Sequence, residues 1–227
     1  MVNLAQYPDK AVLAEDLAEI VAEQLQDAIE KNGSASLAVP GGTTPGAFLQ
    51  ALAKQNVDWA KVQVMLTDER FVPEDSPRSN TRLLKETLLQ GKAAAATLVP
   101  MVMAGASPED VLATLEAGIK PALPLDVVVL GMGADMHTAS LFPGADRLDE
   151  ALADDAPLLL PMRAEGAGEP RLTLTAPVLK AAAHVHVLIT GAAKMESLMQ
   201  ALKEGPLDVA PIRVVLALPE TEIHFAE

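Results

Sequence analysis

His137 and Asp135, two residues apart in a glycine-containing segment, could together activate a water molecule. A carboxylate that holds one ring nitrogen of an imidazole leaves the other free to accept a proton, which is general-base catalysis. Gly131 and Gly133 precede the pair and permit a tight exit from a strand. An isolated histidine usually caps a helix or packs in a core, but the neighbouring aspartate and glycines favour catalysis. The segment is no dinucleotide-binding fingerprint, because Met136 stands where the third glycine would be.

A second polar cluster, Thr67-Asp68-Glu69-Arg70, directly follows an apolar segment. Its guanidinium could bind a carboxylate or an anionic substrate through two parallel hydrogen bonds. Two carboxylates and a guanidinium exceed what solvation requires at the end of a strand. Taken alone, however, the cluster is better explained as a local ion pair on a loop.

The segment Pro40–Pro45, which contains Gly41, Gly42, Thr43 and Thr44, could bind a phosphate group. Its glycines would let backbone N–H groups approach an anion, and the threonines and a following helix N-terminus would add donors. A plain strand–turn–helix connection capped by Thr44 is about equally consistent with these residues, because glycine loops are common.

Two cations elsewhere in the chain could complete an anion site. Arg171 follows Pro170 at the start of a predicted strand, and Lys194 falls in the first turn of a helix after Gly191. A positive charge is unfavourable at the N-terminus of a helix, because the helix dipole is positive there. The position of Lys194 is therefore expected if the lysine binds an anion. Without the preceding glycine turn, an ordinary surface lysine would be the default interpretation.

Alternating strands and helices must position these groups. Apolar spacing predicts a helix over Asp9–Lys31, ended by Asn32-Gly33. Further helices are predicted at 45–54, 79–90, from 107 and at 192–203, strands at 36–39, 62–67, 125–130, 171–175, 184–190 and 213–218, and a surface hairpin or loop at 162–170. This order predicts one α/β domain over residues 1–227, a mainly parallel sheet with helices on both faces. Ligands bind beyond the carboxyl ends of such strands, where the polar clusters fall.

The composition excludes several classes of protein. A formal net charge of −14 disfavours nucleic-acid binding, and an anionic ligand would need specific donors. The absence of cysteine excludes a thiolate nucleophile and fits a reducing cytoplasm. The sequence shows neither a signal peptide nor a membrane-spanning run. We therefore expect a cytoplasmic protein without nucleic-acid or membrane partners.

No metal site is predicted, because no H-x-x-x-H motif or other ligand spacing is present. His184 and His186 alternate along a predicted strand and are interpreted as packing or surface residues, while His224 gives no functional indication. No serine stands in a G-x-S-x-G elbow, which disfavours a serine hydrolase.

Four segments together resemble the 6-phosphogluconolactonase family. They are LAVPGGTTPGAFLQAL, TDERFVPEDSPRSNTRLLKETLL, VVVLGMGADMHTASLFPG and PRLTLTAPVLKAAAHVHVLITGAAK, which follow one another from Leu37 to Lys194 in the family's order. The runs TDERFVP, with SN following, and HTASLFPG are specific. The resemblance implies a modified Rossmann-like fold and hydrolysis of 6-phosphoglucono-δ-lactone to 6-phosphogluconate, in the oxidative pentose phosphate pathway. It implies a phosphorylated sugar lactone as the small-molecule partner, no cofactor and no metal, and it is compatible with a monomer or a dimer.

The resemblance also implies roles for individual residues. His137 would be the base, and the residues around it would be Asp68, Arg70 and Asp135. The phosphate would be bound by Gly41, Gly42, Thr43, Thr44, Arg171 and Lys194. Whether Asp68 or Asp135 orients His137 stays open at this point, as does whether a guanidinium or backbone N–H groups stabilise the developing oxyanion.

Several positions depart from the family pattern. Met136 stands where a glycine is usual and could alter the loop backbone or crowd the pocket. The segment Ser76–Arg78 lacks a histidine often found there, and Asp208–Arg213 replaces a Pro-Ala-Ser-like run. His224-Phe225 stands where a tryptophan is common. These departures concern specificity more than the reaction.

Two alternatives remain compatible with the sequence. An amino-sugar phosphate isomerase–deaminase would use the same phosphate-binding loop, but those relatives have a glutamate in an N-E-P run after the histidine, and Leu141–Gly144 here contains no carboxylate. A non-catalytic sugar-phosphate-binding protein is the second alternative, and Met136 is its only support.

Overall fold

The computed structural model describes residues 3–105 and 107–227. In chain order, its strands are β1 (Asn3–Gln6), β2 (Ala35–Val39), β3 (Val62–Leu66), β4 (Asp68–Arg70), β5 (Thr97–Leu98), β6 (Val127–Gly131), β7 (Leu159–Met162), β8 (Arg171–Leu174), β9 (His184–Thr190) and β10 (Glu222–Ala226). Its helices are α1 (Lys10–Asn32), α2 (Gly46–Leu52), α3 (Asn80–Thr87), α4 (Pro108–Ile119), α5 (Leu148–Leu152), α6 (Ala176–Lys180), α7 (Ala192–Ala201) and α8 (Arg213–Leu216). Short 3-10 helices lie at 59–61, 91–95 and 120–122.

The larger sheet is parallel and has the strand order β1-β10-β9-β6-β2-β3-β5. All five residues of β2 and the first four of β6 are buried. Strands of a parallel sheet are buried in this way when helices cover both faces. The predicted fold class, a mainly parallel α/β sheet with helices on both faces, is therefore confirmed.

Capping side chains fix where several helices begin. The Asp9 carboxylate accepts hydrogen bonds from two backbone N–H groups at the start of α1, and Ser79 and Ser107 cap α3 and α4 with their hydroxyl groups. Gly33 ends α1 with a φ of 84°, a left-handed conformation that glycine adopts at little cost. These boundaries agree with those predicted. In the part of the chain that the structure describes, no helix is both long and apolar enough to cross a membrane.

Some predicted elements differ from the structure. Residues 213–218, predicted as a strand, contain helix α8 instead, because a short apolar run has no periodicity that separates helix from strand. The last strand is β10, which the sequence does not predict. Thr44 caps no helix, since α2 begins at Gly46 and the position before it is Pro45, which provides no capping hydrogen bond.

A second, antiparallel sheet has the order β4-β8-β7. The strand predicted at 171–175 lies here and not in the parallel sheet, and it pairs with Asp68–Arg70, which was predicted as loop. Residues 163–170 connect β7 to β8 and form the predicted hairpin. The pairing places the backbone of Arg70 opposite that of Arg171.

The connections that follow β2 and β6 run in opposite directions across the larger sheet. β3 and β5 lie on one side of β2, whereas β6, β9 and β10 lie on the other. The loops that follow β2 and β6 therefore diverge. In open α/β sheets, such a switch point forms a crevice for ligands at the carboxyl ends of the strands.

Candidate active site

A cavity of about 220 Å³ lies where the loops after β2 and β6 diverge. The predicted site residues that line it are Gly41, Gly42, Thr43, Thr44, Asp68, Arg70, His137, Arg171 and Lys194. Asp135 contacts His137 from outside this lining. The structure thus brings every predicted site residue into one region, although they come from widely separated parts of the chain.

His137 and Asp135 are joined by a hydrogen bond between their side chains. Oδ1 of Asp135 lies 2.5 Å from Nδ1 of His137 and also accepts from the His137 backbone N–H at 3.2 Å. This contact favours the tautomer with its proton on Nδ1, so that Nε2 keeps a lone pair. An imidazole held in this way can accept a proton from water.

Gly133 leaves the space that this pairing requires. A Cβ atom at Gly133 would lie 2.1 Å from Nδ1 of His137 and 2.2 Å from Oδ1 of Asp135. The backbone N–H of Gly133 also donates to the carbonyl oxygen of His137 at 2.9 Å, which closes the loop around the pair. A side chain at this position would therefore displace the imidazole or the carboxylate.

The surroundings of Asp135 keep its carboxylate ionised. Burial alone would raise the pKa of Asp135, but the charge of His137 and the hydrogen bonds from its ring and backbone lower it. The resulting pKa lies below the ordinary value for an aspartate. A negative carboxylate here stabilises the imidazolium that forms when His137 accepts a proton.

Asp68 has different partners. Its Oδ2 accepts a hydrogen bond from Ser140 Oγ at 2.5 Å and lies 3.7 Å from Nη1 of Arg171. The imidazole of His137 thus bonds to Asp135, whereas Asp68 holds a guanidinium in position.

Arg70 and Arg171 line the cavity with donors that are incompletely used. Arg70 Nη1 donates to the carbonyl oxygen of Arg78 at 2.5 Å, and Arg171 Nη2 donates to that of Ala167 at 3.0 Å. Both Nε atoms are buried and have no acceptor among the residues that the structure describes. Burial lowers the pKa of Arg171, although the charge of Asp68 opposes this. Because buried donors without acceptors are costly, an anion bound here would stabilise both guanidinium groups.

Lys194 brings a third cation to the cavity from the first turn of α7. Its Nζ donates to the carbonyl oxygen of Met132 at 2.7 Å. Burial lowers the pKa of Lys194, and the negative charge of Asp135 acts in the opposite direction. An ammonium has three donors, so two remain for an anion in the cavity.

Phe142 is a site residue that the sequence analysis misses. The ring centroid of Phe142 lies 4.4 Å from that of His137. The guanidinium carbon of Arg171 lies 5.6 Å from the same Phe142 centroid. One aromatic ring therefore packs against the candidate base and against a candidate phosphate ligand. Phe142 belongs to the specific HTASLFPG run, which was the available indication.

Glu69 belongs to the Thr67–Arg70 cluster but is not among the predicted site residues, and its role in the structure is structural. Its buried carboxylate accepts hydrogen bonds from the backbone N–H groups of Arg70, Asn80 and Thr81 at 2.7, 2.9 and 2.6 Å. The Ser79 hydroxyl donates to it as well, at 3.2 Å. Glu69 thus connects β4 to the start of α3 and does not form the local ion pair that the cluster alone suggests.

Met136 adopts a left-handed backbone conformation, with a φ of 64°. Glycine reaches this region at little cost, whereas other residues rarely adopt it, so the backbone here is one that a glycine would suit. The side chain packs against the hydrophobic core, and the backbone N–H of Ile212 donates to the Met136 carbonyl oxygen at 3.1 Å. Met136 is not among the residues that line the cavity, so it does not crowd the pocket.

Comparison with known proteins reveals close relatives over the full chain. Residues 8–224 match the family described as Glucosamine-6-phosphate isomerases/6-phosphogluconolactonase. A 6-phosphogluconolactonase of Rhizobium meliloti is 47% identical, over 99% of this chain and 98% of the relative. One of Pseudomonas aeruginosa is 39% identical, over 99% of this chain and 94% of the relative.

Solved structures of members of the same family have the same fold as this chain. A 6-phosphogluconolactonase structure from Shewanella baltica has a TM-score of 0.97 and 32% sequence identity, and the match covers 100% of this chain and 98% of the other. A monomeric glucosamine-6-phosphate deaminase, with a TM-score of 0.80 and 15% identity over 100% of this chain and 98% of the other, shares the fold. The chain therefore belongs to the glucosamine-6-phosphate isomerase/6-phosphogluconolactonase family.

Proposed function

We propose that this protein hydrolyses 6-phosphoglucono-δ-lactone to 6-phosphogluconate. The observation that carries the proposal is an imidazole, held by a carboxylate, that lines a cavity shared with two arginines and a lysine. The substrate has the matching groups, an ester carbon at one end and a phosphate at the other. The names of the relatives in Rhizobium meliloti and Pseudomonas aeruginosa support the same reaction.

The phosphate of the substrate would bind the cationic part of the cavity. Arg171 and Lys194 supply charge, and the segment Gly41–Thr44 supplies backbone N–H groups and two hydroxyls. Gly41 suits a segment that packs closely, because a Cβ atom there would lie 2.0 Å from Cγ of Asn80. Binding energy from the phosphate would then orient the lactone carbonyl for the reaction.

The chemical step would begin when Nε2 of His137 accepts a proton from water as the water oxygen bonds to C1 of the lactone. The carbonyl oxygen becomes an oxyanion, which Arg70 or backbone N–H groups would stabilise. As the carbonyl forms again, the bond between C1 and the ring oxygen breaks. The imidazolium returns its proton to that oxygen, and the new carboxylic acid releases one proton to solvent.

The isomerase–deaminase reaction of the same family has less support in this chain. Phe142 packs against His137 in the stretch where the deaminase relatives have a glutamate, and Leu141–Gly144 contains no carboxylate. Ring opening and loss of an amine would lack the acid expected at this place.

The test is the loss of 6-phosphoglucono-δ-lactone with the wild-type protein and with the variant His137→Ala, after subtraction of the spontaneous rate. We expect the variant to lose roughly 10²–10⁴-fold in turnover, because general-base assistance has this value. His184→Ala is the matched control, since His184 is exposed and lies outside the cavity lining. It should keep wild-type turnover.

Other outcomes would replace the proposal. Full turnover by His137→Ala would remove the base role from this residue. Release of ammonia from glucosamine 6-phosphate, without loss of the lactone, would identify a deaminase, and tight binding without turnover would identify a sugar-phosphate-binding protein. The cytoplasmic location and the lack of nucleic-acid partners stay predictions of the sequence.

A further inference from the structure

A cluster of two histidines and one glutamate lies outside the candidate active site. His186 is on β9, and Glu222 and His224 are on the neighbouring strand β10. Glu222 is paired in register with His186, and His224 is two residues further along, so the three side chains share one face of the sheet. Their ligand atoms all lie within 4.8 Å of one another.

The ring nitrogens of this cluster form an ordered chain of hydrogen bonds. Nε2 of His186 donates to Oε1 of Gln24 at 2.8 Å, because an amide oxygen can only accept. Nδ1 of His186 therefore has a lone pair and accepts from Nε2 of His224 at 3.0 Å. Nδ1 of His224 then accepts from the hydroxyl group of Tyr7 at 2.9 Å. Both rings are buried and neutral in this arrangement.

We propose that His186, Glu222 and His224 bind one Zn²⁺ ion at a site distinct from the catalytic cavity. Two imidazole nitrogens and one carboxylate are a donor set that zinc accepts in proteins, with a fourth position left for water. Histidines that bind metals usually donate their other N–H group to a fixed acceptor. Gln24 and Tyr7 occupy these outer positions for the two rings.

Zinc binding would need little rearrangement. His186 already has its proton on the outer nitrogen. In His224 the proton would move from Nε2 to Nδ1, and the Tyr7 hydroxyl would turn to accept it, so no proton would leave the protein. The two inner nitrogens, now 3.0 Å apart, would separate to about 3.3 Å, which follows from zinc–nitrogen bonds of about 2.0 Å and a tetrahedral angle.

The charge around the cluster suits a cation. The Glu222 carboxylate lies within 4.8 Å of the ligand atoms of both imidazoles, so its negative charge can offset that of a bound cation. Glu222 is half-buried, so an ion could reach the site from the solvent side. The bound ion would join β9 to β10 and fix the positions of α1 and of the residue that follows β1.

Isothermal titration of the full chain with ZnCl₂, after treatment with a chelator, tests the proposal. We expect one equivalent to bind with a dissociation constant in the micromolar range or tighter. Glu222→Gln removes the carboxylate at a half-buried position and should weaken binding at least tenfold. His184→Gln removes an exposed imidazole near the cluster and should leave binding unchanged.

Two further variants separate this site from other zinc ligands. Tyr7→Phe removes the acceptor for the outer N–H of His224 and should weaken binding roughly 10–100-fold, the usual effect of such partners. His137→Ala should still bind one equivalent. Absence of binding at 100-fold molar excess of zinc, wild-type affinity in Glu222→Gln, or loss of binding in His137→Ala would each overturn the proposal.

Discussion

Asp135 and Asp68 lie in the same site but hold different groups. Asp135 bonds to the imidazole of His137 at 2.5 Å, whereas Asp68 accepts from Ser140 and lies 3.7 Å from a guanidinium nitrogen of Arg171. We therefore expect Asp135 to assist the chemical step and Asp68 to assist phosphate binding. Steady-state kinetics can distinguish the two functions, because kcat and KM respond differently.

Asp135→Asn should lower kcat at least tenfold with little change in KM. The amide can still contact Nδ1 but no longer stabilises the imidazolium by charge, and it can hold the wrong tautomer. Lactone hydrolysis at saturating substrate measures the effect. An unchanged kcat would show that Asp135 does not act through His137.

Asp68→Asn should raise KM roughly tenfold and change kcat less. Loss of the negative charge frees the Arg171 guanidinium from its position at the cavity, and a displaced anion ligand mainly weakens binding. Inhibition by inorganic phosphate should weaken in parallel. A fall in kcat with unchanged KM would instead assign the orienting role to Asp68.

Gly133→Ala should lower kcat/KM at least tenfold while the protein stays folded. The added methyl group would lie 2.1 Å from Nδ1 of His137, so the imidazole must move out of its contact with Asp135. Gly118→Ala in α4 is the control, because a Cβ atom there meets nothing within 4 Å. Activity and circular dichroism are compared for both variants, and wild-type activity in Gly133→Ala would contradict the tight packing of the pair.

For individual residues, the sequence predicts which polar side chains form the site but not the residues that pack against them or hold them in position. His137, Asp135 and the arginines are visible because their chemistry is unusual near glycines and strand ends. The contacts of Phe142 and Glu69 are not predicted, since the type of an aromatic or acidic residue does not indicate which distant residues it packs against or bonds to. The backbone conformation of Met136 could not be predicted from the sequence either, because a positive φ at a residue other than glycine depends on the surrounding fold.

At the level of secondary-structure elements, we expect the contacts of Glu69 between β4 and α3 to contribute to the stability of the fold. Glu69→Ala should lower the free energy of unfolding by about 3 kcal/mol, because the helix start loses its acceptor and buried N–H groups are left without partners. Urea denaturation measures the change. Glu86→Ala on the exposed side of α3 breaks an ion pair with Arg82 and should cost about 0.5 kcal/mol or less. Equal effects would show that Glu69 is not an anchor of α3.

Most helices and central strands follow from local patterns, and the outer elements do not. The long amphipathic pattern of α1 and the serine caps of α3 and α4 are strong local features. α8 and β1 have only four residues each, which is too short for an apolar pattern to repeat and to separate helix from strand. The antiparallel sheet escapes prediction for another reason, since pairing of β4 with β8 joins segments about 100 residues apart.

For the whole molecule, we expect one cooperative unfolding transition. The buried apolar residues form one contiguous core that extends from α1 to β10. A single core couples the elements to one another, as it does in small domains that unfold in one step. Differential scanning calorimetry should show one peak whose calorimetric and van 't Hoff enthalpies agree. Two separated peaks would contradict the prediction that residues 1–227 form a single domain.

The convergence of the site is the property of the whole molecule that sequence reasoning captures best. Clusters that follow predicted strands meet because the carboxyl ends of parallel strands share one edge. The zinc-binding cluster follows no such rule, since His186 and His224 are 38 residues apart and only the neighbouring positions of β9 and β10 bring them together.

The position of β1 at the edge of the sheet matters during synthesis of the chain. Among the described strands, β10 is the only neighbour of β1, and Asn3 is paired with Glu222. β1 leaves the ribosome well before β10 and must therefore wait for its partner, on the order of ten seconds or more at usual rates of translation. A nascent chain that stops before Glu222 would leave Asn3–Gln6 without this partner, and the segment would be open to proteases and to wrong pairing.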